Sequence, residues 1–285
     1  MARMKSMNPG EEMKRAVDLG PITHVTSFAD HFSMLLSRLK IELPPGWFPP
    51  VKQRKDQAKL TAIERERFLC AFSTLNILGE LGQMVQIHSQ VHNQHNTLRF
   101  LPWHRIFLYL FENELASVHP DVTLPYWDWT QAAEQTFPAW LAGYTPTVTT
   151  PATTITVTRS PGTPSALSGV AAHTPSTLTL TDFAEFSLNG SGAVWPLEGI
   201  HDWVHMWVGG TMGIIATAPA DPIFWMHHAN IDRLWWQWYN SPSGSGKNPP
   251  LSGAPGTSTS PVMDPWTYTE ADTRHIAANL GYTYV

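Results

Sequence analysis

Apolar and polar positions change their period several times along the chain, and the changes mark the elements. From Thr61 onward Ile63, Phe68, Leu69, Phe72, Leu75 and Leu78 recur near helical spacing, and Thr61 with Glu64 has the form of a capping box. The spacing predicts one long helix from about Ala62 to His88, kinked near Gly79 or Gly82. A second helical run, FLPWHRIFLYLFENEL, has Pro102 in its first turn and His104, Phe107, Leu108, Phe111 and Leu115 on one inward face. Glu112 falls on a similar face and is expected to bond a ligand or Arg105. A third run, LEGIHDWVHMWV, is closed by Gly209 and Gly210. The fourth, DPIFWMHHANIDRLWWQW, opens with Asp221 as N-cap and Pro222 in the first turn. Its apolar positions Phe224, Trp225, Ile231, Leu234, Trp235 and Trp238 are too many for a solvated helix, so it is expected deep in the core.

Between these runs the pattern loosens. Residues 145 to 182 are rich in Thr, Pro, Ser and Gly and read mostly as loop, with VTTPATTITVTRS able to form a short strand or hairpin. A second loose stretch, SPSGSGKNPPLSGAPGTSTSP, precedes a tail ending GYTYV. Residues 1–50 read as an extension, with one amphipathic helix at about Ser27 to Ile41 and a proline-rich connector from Leu43 to Pro50, and residues 51–285 as one mainly α domain with long loops and few short strands.

Composition narrows the function classes. The chain has 285 residues, 14% of them charged, 13 tryptophans and a net charge of -5, which disfavours a nucleic-acid partner. The short basic patch Lys52, Arg54, Lys55 is assigned to a solvated surface. A single cysteine, Cys70, excludes an internal disulfide and a cysteine-rich zinc module. The N-terminus lacks the apolar stretch of a Sec signal, and no segment offers the roughly 20 apolar residues of a membrane span. The expectation is a soluble protein with no membrane partner and cytoplasmic residence by default, with folded export alongside a partner left open.

Histidine placement changes the picture more than any other feature. His201 and His205 lie four apart, a spacing that stacks both rings on one helical face with Cβ atoms roughly 5–6 Å apart. His227 and His228 are adjacent on the apolar fourth helix, where a buried imidazole must hydrogen-bond or bind metal; Asp232 is placed to support His228 or to pair with Arg233. His88, His92 and His95 fall within eight residues, and His104 points inward. Two groups emerge, His88, His95 and His104, then His201, His205 and His228, with His92 as the rival to His95. All-nitrogen donor sets suit copper, zinc or iron, and the lack of a carboxylate ligand moves the choice toward copper, then zinc. His24, His31, His119, His173 and His275 are expected to face solvent.

The two longest motifs are specific. HNTLRFLPWHRIFLYLFE, His95 to Glu112, resembles the first copper signature of the tyrosinase family, and DPIFWMHHANID, Asp221 to Asp232, resembles its second. IHDWVHMWVGGTM resembles the paired-histidine helix between them, and the likeness spans about Val51 to Val285. The resemblance implies a four-helix bundle holding two copper ions, with His88, His95 and His104 on copper A and His201, His205 and His228 on copper B. It implies dioxygen as co-substrate, small phenols or catechols as substrates, and oxidation of catechols to o-quinones with ortho-hydroxylation of monophenols. His227 then supports the ligands from behind, and Phe224 packs against their rings. Glu198 is the candidate for taking the phenol proton, with Asp202 assisting. The chain departs from the pattern in three places. Asn93 stands where some members carry a cysteine joined to the second copper A histidine, so that thioether is expected to be absent. Asp202 stands where strong hydroxylases often carry asparagine. Many members append a lid domain after the segment that GYTYV resembles, and here no built-in plug is expected; a separately encoded copper chaperone is compatible with the pattern, and the oligomeric state stays open. The alternative within the same ligand set is a haemocyanin-like reversible oxygen carrier.

Overall fold

Thr61 accepts a hydrogen bond from the Glu64 amide while the Glu64 carboxylate accepts from the Thr61 amide, and this reciprocal cap starts the helical core of the computed structural model. The structure describes residues 50–90, 94–249 and 262–285, so the expected extension at 1–49 and the rival ligand His92 lie outside the described residues. A short strand β1 (Lys52–Arg54) leads into helices α1 (Ala62–Leu78) and α2 (Glu80–Gln90). These replace the single kinked helix expected from the pattern. Gly79 adopts φ 85°, a left-handed conformation that ends α1 and turns α2 by 80°. Gly82, the other candidate, lets α2 press against the Thr149 carbonyl, where a Cβ has no room.

Helix α3 (Phe100–Val118) crosses the core with its residues from Phe100 to Glu112 all buried. The Thr-rich stretch that follows forms the expected hairpin, strands β2 (Thr147–Thr149) and β3 (Thr154–Thr156), antiparallel with Val148 opposite Ile155. The rest of that stretch is less irregular than its composition implied. Thr163 caps a short helix α4 (Pro164–Ala171), with proline in the first turn, and a single turn covers Thr174–Thr177.

Helices α5 (Leu197–Val208) and α6 (Pro222–Tyr239) complete the bundle with α2 and α3. Asp221 caps α6 by accepting the Ile223 amide, and the Arg159 guanidinium holds the same carboxylate, tying the loop before α4 to the start of α6. Trp225, Trp235 and Trp238 are buried along α6, and Trp225 stacks on Phe111 of α3 with centroids 3.5 Å apart. The chain closes with β4 (Tyr282–Tyr284) pairing parallel to β1.

That pairing overturns the surface assignment of the basic patch. Arg54 is fully buried, its guanidinium bonded to Glu112 at 3.0 Å and to Asp232 at 3.4 Å and lying 3.6 Å over the Tyr282 ring. Asp232 pairs with Arg105 and accepts hydrogen bonds from the Tyr282 and Tyr284 hydroxyls. It therefore supports neither His228 nor Arg233, whose partner is Asp128 at 3.1 Å. Glu112 likewise bonds Arg54 and the Leu124 amide in place of Arg105 or a site histidine. Burial alone would raise both carboxyl pKa values, but the arginines outweigh it and hold Glu112 and Asp232 below the usual range. The result is a charged clasp joining both ends of the described fold to α3 and α6.

Candidate metal centre

Each element of the bundle delivers one or two imidazoles to the same place. His88 comes from α2, His95 from the turn before α3, His104 from α3, His201 and His205 from successive turns of α5, and His228 from α6. They gather into two trios: in His88, His95 and His104 the candidate ligand atoms lie within 4.8 Å of one another, and the same limit holds for His201, His205 and His228. The trios adjoin, with the His104 and His228 rings stacked at 4.5 Å and 18°.

Hydrogen bonds on the outer edge of each ring decide what the inner edge can do. A carbonyl only accepts, so Nδ1 carries the proton in His88, which donates to Ile215 at 2.9 Å, in His104, which donates to Phe100 at 2.8 Å, and in His205, which donates to Met212 at 2.8 Å. His201 directs Nδ1 to the Asp202 carboxylate at 3.0 Å. With Nδ1 protonated, a neutral ring keeps a lone pair on Nε2. The Nε2 atoms of His88 and His104 nevertheless face each other at 3.4 Å, and those of His201 and His205 each lie 3.1 Å from Nε2 of His228. The lone pairs of His88 and His104, both with their protons held on Nδ1, thus turn toward one another in a buried site and repel, and a shared cation removes the conflict; His228, whose Nδ1 has no partner among the described residues, can hold its proton on either nitrogen. Burial first, then neighbouring imidazoles, push His104, His205 and His228 well below the ordinary histidine pKa, which favours the neutral, coordinating form. The donor set therefore fits two metal ions, one per trio, and its purely imidazole character suits copper.

The surroundings hold the rings still. Phe224 lies 4.1 Å from the His228 ring and 5.1 Å from His88, touching both trios, and Phe100 sits 4.7 Å from both His104 and His201. His227 stands behind: it accepts from the Trp129 indole at 3.1 Å through Nδ1 and stacks on His201 at 5.2 Å and 10°. Trp129 is a part of the site that the sequence pattern did not flag, because its contact with His227 spans 98 residues.

Glu198, in the first turn of α5, is buried and accepts the Asn96 amide at 2.6 Å through Oε1; its Oε2 is buried with no partner among the described residues. Asn96 reaches it by adopting φ 57°, unusual for a residue other than glycine, directly after His95. Burial, with a further push from Asp202, raises the Glu198 pKa to about 8. A cavity of about 240 Å³ opens from the trios to the surface past Asp202, Met206, Met212 and Ile215. Cys70 is exposed and free on α1. His275 is exposed as expected, whereas His173 is half-buried, stacked on Trp195 at 3.9 Å, and His119 is half-buried.

Residues 79–173 and 156–241 match the common central domain of tyrosinase. The chain belongs to the tyrosinase family. Over 252 residues it is 32% identical to the tyrosinase of Streptomyces glaucescens, covering 75% of this chain and 92% of that one. Among solved structures it resembles a Burkholderia thailandensis tyrosinase, with a TM-score of 0.69 at 20% identity over 82% of this chain and 73% of that one. It also resembles a functional unit of octopus hemocyanin, with a TM-score of 0.64 at 23% identity over 82% and 68% of the two chains. Membership in this family makes the chain a type 3 copper oxidase with two copper ions as its cofactor, and the two histidine trios fit that pair.

Proposed function

We propose that this tyrosinase-family oxidase converts catechols to o-quinones with dioxygen as oxidant, and hydroxylates monophenols at the ortho position as a second activity. The observation that carries the reading is the two adjoining trios of imidazole nitrogens beneath one cavity open to the surface. We assign His88, His95 and His104 to copper A and His201, His205 and His228 to copper B. Bound there, the two ions supply the redox chemistry, one electron each, that matches the two electrons a catechol loses on becoming a quinone.

The chain's own residues do the rest. The Nδ1 bonds to Ile215, Phe100 and Met212 fix the tautomers, and Phe224 and Phe100 keep the rings from rotating, so the donors are set before a metal arrives. Glu198 takes the phenol proton in its ionised form: its Oε2 is buried with no partner among the described residues, and burial, by raising its pKa to about 8, makes that form a stronger base than an ordinary carboxylate and the majority species only above that pH. Asp202 draws on the Nδ1 proton of His201, making that imidazole more electron-rich than its backbone-bonded neighbours. We assign to this contact the balance between the two activities, favouring diphenol oxidation.

Oxygen consumption by copper-loaded protein with 4-methylcatechol, read beside quinone absorbance, tests the reading. The expected result is catalytic quinone formation with one O₂ consumed per two quinones. Reversible oxygen binding without quinone would overturn it in favour of an oxygen carrier, and retention of zinc in place of copper would favour a hydrolase.

A further inference from the structure

The cavity over the trios is small for the surface that surrounds it. At about 240 Å³ it falls below the roughly 300–1,000 Å³ of pockets that enclose a drug-sized ligand, so a phenol larger than one substituted ring must extend past the mouth. What it meets there is apolar. Met206, which lines the cavity, is 63% exposed, and Trp203, one helical turn before it and next to Asp202, is 54% exposed. An exposed tryptophan is ordinarily free to move, but this one has a backing. Trp195 lies behind it in an offset stack at 6.2 Å and 27°, and Trp195 is itself stacked on His173 at 3.9 Å and 8°. Thr177 on the single turn after α4 donates to the Trp195 carbonyl at 2.8 Å, fixing the backbone from which the ladder rises. Among the described residues lining the cavity, Asp202 is the only carboxylate and none is lysine or arginine.

We propose that Trp203, backed by Trp195 and His173 and continued by Met206, is a binding shelf for the distal ring of phenols that carry a second, uncharged aromatic group. The proposal rests on the dicopper oxidase reading, because it supposes that the first ring enters the cavity above the trios. A ring held in place by stacking is organised before the ligand arrives, so little ordering entropy opposes the contact. Aromatic stacking geometry adds to the area buried. A carboxylate on the distal group is repelled by Asp202 at the cavity mouth, where no lysine or arginine stands among the described lining residues, so the shelf selects neutral extensions.

Copper-loaded protein is assayed with 4-benzylcatechol and 4-methylcatechol, and the binding of 4-benzylresorcinol, which lacks the ortho-diol, is measured by calorimetry alongside resorcinol. In Trp203→Ala the ratio of kcat/KM for 4-benzylcatechol over 4-methylcatechol falls by about fivefold to tenfold, the change residing in KM. The Kd of 4-benzylresorcinol rises by a similar factor relative to resorcinol, and Trp203→Phe restores most of both effects. An unchanged ratio, or an equal loss on both substrates, overturns the shelf while leaving the oxidase reading intact. Absence of turnover on either catechol by the unaltered protein overturns the oxidase reading instead, and the calorimetric comparison then still decides whether the shelf binds a second ring.

Discussion

His88 and His104 turn their Nε2 atoms toward each other at 3.4 Å although both carry their protons on the outer nitrogen, an arrangement that has a physical reason only if a cation belongs between them. Removing a ligand from either trio should therefore remove one ion. Replacing His205 or His228 with alanine is expected to lower bound copper from two to one per chain and to reduce oxidase activity by at least about 100-fold, checked by metal analysis with catechol kinetics. Retention of both ions would mean a different donor set. Asp202→Asn substitutes a weaker acceptor for the carboxylate on His201 and is expected to raise monophenol relative to diphenol activity, read as a ratio of initial rates. Much of this scale was legible in the sequence because metal binding imposes short-range spacing: His201 and His205 announce themselves by standing four apart, and His95 and His104 by their motif. Arg54 was not legible. Its partners Glu112 and Asp232 lie 58 and 178 residues away, and in sequence it stands between two other basic residues like an ordinary surface charge.

At the scale of elements, α1 and α6 start at the caps their sequence offers, and the departures come from one left-handed glycine and from contacts distant in sequence. The apolar spacing of α1 runs into α2 almost unbroken, yet Gly79 at φ 85° turns the chain by 80° and brings His88 under α6. Gly82, equally suspect in sequence, serves close packing against the β2–β3 hairpin. Gly82→Ala is thus expected to displace that hairpin and lower the melting temperature. The clasp formed by β1, β4, α3 and α6 yields a sharper prediction. Arg54→Ala leaves Glu112 and Asp232 buried with less compensation, and loss of one partner of a buried ion pair costs about 3–5 kcal/mol, so thermal unfolding should shift markedly downward. Arg54→Met, measured beside Glu112→Gln, checks the cause: if the loss is electrostatic, the double variant recovers part of the stability that Arg54→Met alone forfeits.

For the whole molecule, stability depends on pH through groups outside the metal centre. Burial, with repulsion from Asp56 and Asp128, raises the Glu134 pKa to about 7, despite a bond from Gln57. The folded state then holds this proton more tightly than the unfolded chain, so the contribution of Glu134 favours folding most below about pH 4.5, weakens as pH rises to about 7, and levels off above. Glu134→Gln should flatten that part of the profile, measured as the difference in melting temperature between pH 5 and pH 8; an unchanged difference would assign the dependence elsewhere. The sequence conveyed the mainly helical bundle and the family likeness, but the way distant segments converge on one buried centre emerges only when α2, α3, α5 and α6 pack together. That convergence is the central claim, and anomalous scattering at the copper edge from a crystal of copper-loaded protein tests it most directly. Two peaks are expected, one about 2 Å from a ring nitrogen of each of His88, His95 and His104 and the other equally close to a ring nitrogen of each of His201, His205 and His228. A single peak, or copper bound away from either trio, would contradict it.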